Sequence, residues 1–231
     1  MTRQEWGSEG ALNDYIFAQN GHYLRTDVNQ SPDRILIQDV NGVATNWFTN
    51  DIEEDVRSIK HYINKYGEET FKQYSFINTL SGATFDDIMT QQGVEPQGLW
   101  ERTLTTWENS FGKQLDFTAY LAADMIKQGK AYDNLPQSPA IGKVDNTGKF
   151  TLDELYFHAP LYRVGVLGAL YNLPDAGNFL WSYALTKMGY DIGGIRSIAK
   201  GYNMIHNSTD PAADLNAHNY GNYYYKVTHG K

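Results

Sequence analysis

Polar residues are frequent between His158 and His218, a stretch in which Asp210 and Asp214 are the two acids closest together. Asp210 precedes Pro211 and Asp214 lies one turn later, which predicts a helix start with both carboxylates on the same side. Two such carboxylates can bind a divalent cation, or they can hold one proton between them as an acid–base pair. A capped helix without chemistry explains the same residues.

A second polar group opens another predicted helix, in the sequence Pro174-Asp175-Ala176-Gly177-Asn178. The helix dipole favours an aspartate in a first turn, and free backbone N–H groups there can hold an anion or a substrate carbonyl. A plain N-cap role for Asp175 is the alternative. Gly177 leaves room for the close approach of a ligand or of a neighbouring helix.

Histidines supply candidate general bases, because His158, His206 and His218 can each exchange a proton near neutral pH. Their spacing matches no known motif, and the sequence has no P-loop, HExxH or GxSxG. The absence of cysteine excludes disulfides, zinc-thiolate sites and thiol nucleophiles. The formal net charge of −8 argues against a broad cationic surface for nucleic acid.

The elements that must position these residues begin with a β-rich segment. Asn20-Gly21 lies between two aromatic-rich runs, which predicts a hairpin. Asn41-Gly42 follows the apolar run 34–38 and predicts a second strand pair. Both pairs fall before residue 50, so the sequence indicates a small N-terminal sheet.

From Asn50 onward the apolar residues follow a helical period, as shown by Ile52, Val56, Ile59 and Ile63. Asn50 and Glu53 have the spacing of an N-cap and its capping-box partner, and Gly67 is expected to end the helix. Further helices are predicted over 68–80, 84–92, 97–110, 116–128, 160–172, 175–189, 192–206 and 211–221.

These patterns lead to an expected fold class. The 231 residues, of which 41% are hydrophobic and 14% aromatic, can bury a core without disulfides. We expect an α+β fold that is predominantly α-helical, with a small N-terminal β-hairpin sheet packed on a helical body. The expected division is a β-rich lead-in over 1–49 and a mainly helical domain over 50–231, with the active region at 112–221.

Apolar stretches in the sequence are short. The longest, from Leu161 to Leu173, is interrupted by Arg163 and Asn172 and cannot span a bilayer, so we expect no integral membrane insertion. The N-terminus lacks the apolar segment of a secretory signal. We therefore expect a protein that is made in the cytoplasm and exported by a dedicated machine or carrier.

The order of the motifs resembles the polymorphic toxin type 44 family. The resemblance covers the C-terminal half and depends on Leu115-Asp116-Phe117, Gly177-Asn178-Phe179-Leu180-Trp181, Asp210-Pro211-Ala212-Ala213-Asp214 and Gly221. A lysine that is usual in the family is replaced by Thr118, which counts against phosphate binding.

This resemblance implies an antibacterial effector that is delivered by a contractile injection particle, a type VI spike or an Rhs-type carrier. It also implies a cognate immunity protein in the producing cell. The catalytic candidates that it carries over are Asp116, Asn178, Asp210 and Asp214, with Asp175 and Gly177 beside them. The candidates for substrate binding are Gly177, Trp181, His206 and His218.

Three functions fit these residues. Paired carboxylates beside aromatic rings suit a glycan, so we expect a hydrolase that attacks peptidoglycan. The first alternative is a metal-dependent ribonuclease or other nuclease, in which Asp210 and Asp214 hold a divalent metal and His206 or His218 is the base. The second alternative is a non-enzymatic cargo or structural component of an injection particle, with the acids acting as helix caps.

Overall fold

The computed structural model describes residues 12–73, 76–80, 82–103, 117–118, 120–121, 161–164, 169–206 and 211–230. The strands within these ranges are β1 (Leu12–Ala18), β2 (Tyr23–Asn29), β3 (Arg34–Gln38), β4 (Ala44–Asn46), β5 (Ile77–Leu80), β6 (Leu161–Val164) and β7 (Ala169–Tyr171). The helices are α1 (Ile52–Tyr66), α2 (Glu68–Phe71), α3 (Gly82–Gln91), α4 (Leu173–Met188), α5 (Ile192–His206) and α6 (Ala212–Thr228).

The N-terminal sheet has the strand order β2-β1-β3-β4. Its two predicted hairpins are present, since β1 pairs antiparallel with β2 and β3 pairs antiparallel with β4. Gly21 and Gly42 occupy the turns with φ values of 86° and 82°, a backbone conformation that favours glycine. The two hairpins are joined by parallel pairing of β1 with β3, which the local pattern did not predict.

The expected fold class is wrong, because a second sheet lies outside the N-terminal segment. Strands β5, β6 and β7 form it, and they replace helices that were predicted over 68–80 and 160–172. The run 161–164 is almost wholly buried and the run 169–171 wholly so. Short buried runs show no alternation, so periodicity alone cannot separate such strands from helix. The protein is a mixed α/β structure with sheets of four and three strands.

Helix α1 does not use its predicted cap. Asp51 rather than Asn50 is the N-cap residue, and its carboxylate accepts a hydrogen bond from the backbone N–H of Glu54 at 3.1 Å. Gly67 ends the helix as predicted, with a φ of 79° and its N–H donating to the carbonyl of Ile63 at 2.8 Å. Asn50 is therefore available for a different role.

Helices α4 and α6 pack closely against each other. A Cβ added to Gly221 of α6 would come well inside van der Waals contact with the backbone carbonyl oxygen of Phe179 in α4, and it would lie 3.0 Å from the Cβ of Ser182. Across this interface the Ser182 hydroxyl donates to the His218 carbonyl at 2.6 Å. The small residue at 221 thus allows α4 and α6 to approach closely enough for this hydrogen bond.

One hydrophobic core connects the N-terminal sheet with the helices. On the sheet side, Phe17 packs edge to face with Tyr23 at a centroid distance of 5.6 Å. On the helical side, Phe85 contacts Phe179 and Tyr183 at centroid distances of 5.5 and 5.4 Å. Among the described helices, none combines the length and apolar character that a bilayer crossing needs.

Candidate active site

The N-terminal ends of α1, α4 and α6 meet at one polar centre, and Asn50 connects them. Its side-chain Nδ2 donates to Asp175 Oδ2 at 2.7 Å and to the Ala213 carbonyl oxygen at 2.9 Å. Its backbone N–H donates to the carbonyl of Leu170 at 2.9 Å, which fixes the residue beside β7. Asn50 therefore holds the first turns of three helices together.

Asp175 is placed by the local chemistry of the α4 start. Asn172 is the N-cap residue, and its side chain accepts a hydrogen bond from the Asp175 backbone N–H at 2.9 Å. Pro174 occupies the first turn, where its missing N–H costs nothing. Asp175 is thus an acid of the first helical turn and not the cap, and its carboxyl lies in the buried centre.

Asp175 and Asp214 form a pair of carboxyl groups in hydrogen-bonding contact. Asn178, one turn after Asp175, donates its side-chain N–H to Asp214 Oδ1 at 2.8 Å. Burial raises the pKa of Asp175, and hydrogen bonds with Asn50 and Asp214 only partly offset that effect. Two neighbouring carboxylates repel each other, so this arrangement favours a proton shared within the pair.

Asp55 is a third acid of the centre and is fully buried in α1. Within the described part of the chain, neither of its carboxyl oxygens has a hydrogen-bond partner. Burial raises its pKa well above the usual value, and the negative charges of Asp175, Asp51 and Glu54 add to the effect. Burial and the neighbouring charges therefore both favour the neutral, protonated form of Asp55.

Glu54 is the half-buried acid of the group. Burial raises its pKa, and the charges of Asp51 and Asp175 raise it further, while Arg57 at 3.7 Å acts in the opposite direction. A carboxyl group whose pKa is raised and that still reaches solvent is suited to donate a proton to a substrate. Acids are usual in a first helical turn, so the position of Glu54 in the sequence was only a weak signal for this role.

An aromatic cavity of about 250 Å³ lies beside the acids. Its walls come from the segment before α1, from β6 and β7, and from α4 and α6. The residues that line it are Phe48, Val164, Ala169, Tyr171, Phe179, Tyr220 and Tyr224. Phe179 follows Asp175 by one helical turn, so the cavity and the acids share the start of α4.

Two predicted substrate-binding residues, Trp181 and His218, lie together but are buried. Their ring centroids are 5.1 Å apart, across the interface of α4 with α6. Gly177 faces Thr118, whose backbone N and Cα would lie 3.0 and 3.1 Å from an added Cβ. In this structure Thr118 fills the space beside Gly177.

Other predicted residues lie outside the described part of the chain. These residues are Asp116, His158 and Asp210. For His206, only the backbone at the end of α5 is described. The predicted divalent metal at Asp210 and Asp214 therefore stays a prediction. Among the residues that are described, no group of three His, Cys, Asp or Glu side chains is arranged to hold a metal ion.

Comparisons with known proteins find no family model, no curated protein and no solved structure that matches this chain significantly. The resemblance to the polymorphic toxin type 44 family stays a prediction, as do the residue roles that it implies. A proposal for the function must therefore be argued from the geometry of the acids.

Proposed function

We propose that the protein is an antibacterial effector whose acid centre hydrolyses the glycan of the bacterial cell wall. The observation that carries the proposal is the contact of Asp175 with Asp214 beside Glu54, whose pKa is raised. Acids whose pKa values are raised by burial are suited to donate or share a proton, as acid–base hydrolysis requires. Delivery by an injection particle or Rhs-type carrier, and a cognate immunity protein, belong to the same proposal.

The Asp175–Asp214 pair would act as one unit. Two acids that flank a glycosidic bond stand at least about 5 Å apart, whereas hydrogen-bonded carboxyl groups are closer than that. The pair carries one negative charge and would stabilise the positive charge that develops on the sugar, or would activate the attacking water. Asn178 holds Asp214 in place through its 2.8 Å hydrogen bond.

Glu54 would be the opposing general acid. Its carboxyl proton would pass to the oxygen of the leaving sugar as the glycosidic bond breaks. Asp55, neutral and buried beneath the centre, would keep the total charge low enough for Glu54 and the pair to hold their protons. The roles of Glu54 and Asp55 are distinct because one is partly exposed and the other is not.

The test is to express the chain in Escherichia coli, once in the cytoplasm and once with a periplasmic export signal. We expect lysis only on export, and loss of lysis in Asp214→Asn. Asp87→Asn, at an exposed position of α3, is the matched control and should lyse like the parent. Lysis by Asp214→Asn, or growth arrest only in the cytoplasm, would contradict the proposal, and the latter outcome would favour a nuclease.

One alternative is favoured by the same contact. Two carboxyl groups that share a proton can activate water for amide hydrolysis, in which case the peptide of the cell wall would be cut. Digestion of purified peptidoglycan separates the two reactions. New reducing sugar ends indicate glycan cleavage, whereas new amino groups without reducing ends indicate amide cleavage.

A further inference from the structure

We propose that the aromatic cavity binds a methylated ammonium group, such as the head group of choline. This inference does not depend on hydrolysis, because it concerns binding alone. It follows from three properties of the cavity, which are its aromatic walls, the acids beside it and its size.

Aromatic rings at steep angles to one another surround the cavity. Phe48 and Tyr220 meet edge to face, with centroids 6.0 Å apart and an angle of 68°. Tyr171 is tilted by 55° against Phe179, and Phe179 by 56° against Tyr224. These rings come from four separate segments of the chain and line the same cavity, and the faces of aromatic rings attract cations.

Acidic groups lie near the cavity. Its lining residues in the described part of the chain include no Lys, Arg or His, and Asp175 precedes Phe179 by one turn. Burial raises the pKa of Tyr171, and the charges of Tyr220 and Asp175 contribute to that rise. An ionised Asp175 carboxylate, one turn from Phe179, would attract a cation into the cavity and disfavour an anion.

Size and polarity separate a methylated ammonium from other ligands. A cavity of about 150 Å³ holds a benzene ring, so the 250 Å³ here accommodates a trimethylammonium group with part of its chain. The hydroxyl groups of a sugar would lose hydrogen bonds with water between rings that offer few partners. A methylated ammonium needs no hydrogen bonds, and aromatic cages are suited to such cations.

The first experiment is a calorimetric titration with choline chloride and with 3,3-dimethyl-1-butanol, its uncharged isostere, at constant ionic strength. We expect choline to bind at least about tenfold more tightly, because only it gains from the ring faces and the acids. Equal binding of the two probes would show a site for any apolar group and overturn the proposal. Failure of choline to bind would overturn it as well.

Variants then test the cavity itself. Tyr220→Leu and Phe48→Leu each remove a ring but keep an apolar side chain, and choline binding should weaken by about 2- to 30-fold. Tyr220→Phe keeps the ring and should bind like the parent. Tyr223→Leu, at a 54% exposed position of the same helix, is the control. Phe48 is also 54% exposed, so Phe48→Leu should fold even if Tyr220→Leu does not. Unchanged choline binding in Phe48→Leu would contradict the proposed site.

The outcome is separable from that of the proposed function. A folded protein that binds choline but releases nothing from peptidoglycan would keep the cavity assignment and remove the hydrolase. A protein that lyses cells but does not bind choline would do the reverse.

Discussion

Asp14 in the N-terminal sheet and Asp175 at the helix junction are both nearly buried, with 8% and 3% of their surface exposed. Asp14 accepts two hydrogen bonds from the Arg34 guanidinium at 2.8 and 2.6 Å, and a third from Asn29. The Arg34 hydrogen bonds lower the pKa of Asp14, whereas burial raises that of Asp175. The surroundings thus favour the ionised form of Asp14 and disfavour the ionised form of Asp175.

The difference indicates which region performs chemistry. In the sheet the charge of Asp14 is neutralised by a cation, which is what a structural role requires. At the junction, the described side chains around Asp175 are amides and further acids, and no lysine or arginine forms an ion pair with it there. A carboxyl group kept protonated at a cost in stability is typical of a functional site.

The largest expected effect comes from exchanging the two aspartates for asparagine. Asp175→Asn should reduce lytic activity at least about 100-fold, because Asp214 then lacks the second carboxyl group with which it shares a proton. Its free energy of unfolding should stay within about 1 kcal/mol of the parent, since Asn keeps hydrogen-bonding capacity and removes a buried charge. The measurements are periplasmic lysis and urea unfolding.

Asp14→Asn should show the reverse pattern. Loss of the bonds between Asp14 and Arg34 should cost about 1 to 2 kcal/mol of stability, with lysis unchanged. If Asp14→Asn abolished lysis in folded protein, the assignment of structure to the sheet and chemistry to the junction would be wrong.

The next largest effect concerns the glycines of the two regions. Gly221→Ala should cost about 1 to 3 kcal/mol, because its Cβ would push against the Phe179 backbone and lie 3.1 Å from the Tyr183 N. It should also reduce lysis, since separating α4 from α6 lengthens the bond between Asn178 and Asp214. Thermal unfolding and lysis report the two effects.

Gly42→Ala is the comparison in the sheet. No atom lies within 4 Å of its added Cβ, so only the φ of 82° opposes the change, at about 1 kcal/mol. Lysis should stay at the parental level. Equal losses of activity in both variants would show that general instability, and not the geometry of the junction, controls lysis.

Stability should depend on pH in opposite directions in the two regions. The pKa of Asp14 is lowered, so its contribution is present above pH about 4 and is lost as pH falls further. The pKa of Asp55 is raised, so its contribution is complete below pH about 4 and is lost as pH rises toward the folded-state value. Each proton contributes a slope of up to about 1.4 kcal/mol per pH unit.

Asp55→Asn should therefore flatten the loss of stability between pH 4 and 7, and Asp14→Asn should flatten it below pH 4. Urea unfolding at several pH values gives the slope of the free energy of unfolding against pH for each variant. An amide at position 55 does not titrate, so its cost in stability is the same at every pH and does not change the slope. A parental slope in Asp55→Asn would show that Asp55 is not the group that retains the proton.

The same contrast explains what the sequence could predict. The hairpins were predictable because Asn20-Gly21 and Asn41-Gly42 encode their turns locally. Strands β6 and β7 were not, because short runs buried on both faces carry no period. The parallel pairing of β1 with β3 depends on contacts across the chain that no local pattern specifies.

At the candidate site, the sequence indicated Asp175, Asn178 and Asp214, and the structure brings these three together. It did not indicate Asn50 or Asp55. Asn50 contacts Asp175 across 125 positions of sequence, and a capping role explained it sufficiently before its true partner was known. Asp55 follows two other acids in a first turn, where a favourable dipole interaction explains acids without burial.

The smallest expected effect tests whether an ion pair of the sheet region other than Asp14–Arg34 contributes to stability. Lys60 of α1 contacts Asp33 Oδ2 at 2.8 Å, but its side chain is 45% exposed, so water screens the pair. Lys60→Met keeps the aliphatic stem and should change the free energy of unfolding by less than about 1 kcal/mol, with even less effect at high salt. Asp33 would still accept the backbone N–H of Asn13 at 2.8 Å, which keeps the strand end in place. A loss of more than about 2 kcal/mol in urea unfolding would mean that the stability of the sheet depends on a network of charges. The Asp14–Arg34 pair could then not be treated as independent of the other charges in that region.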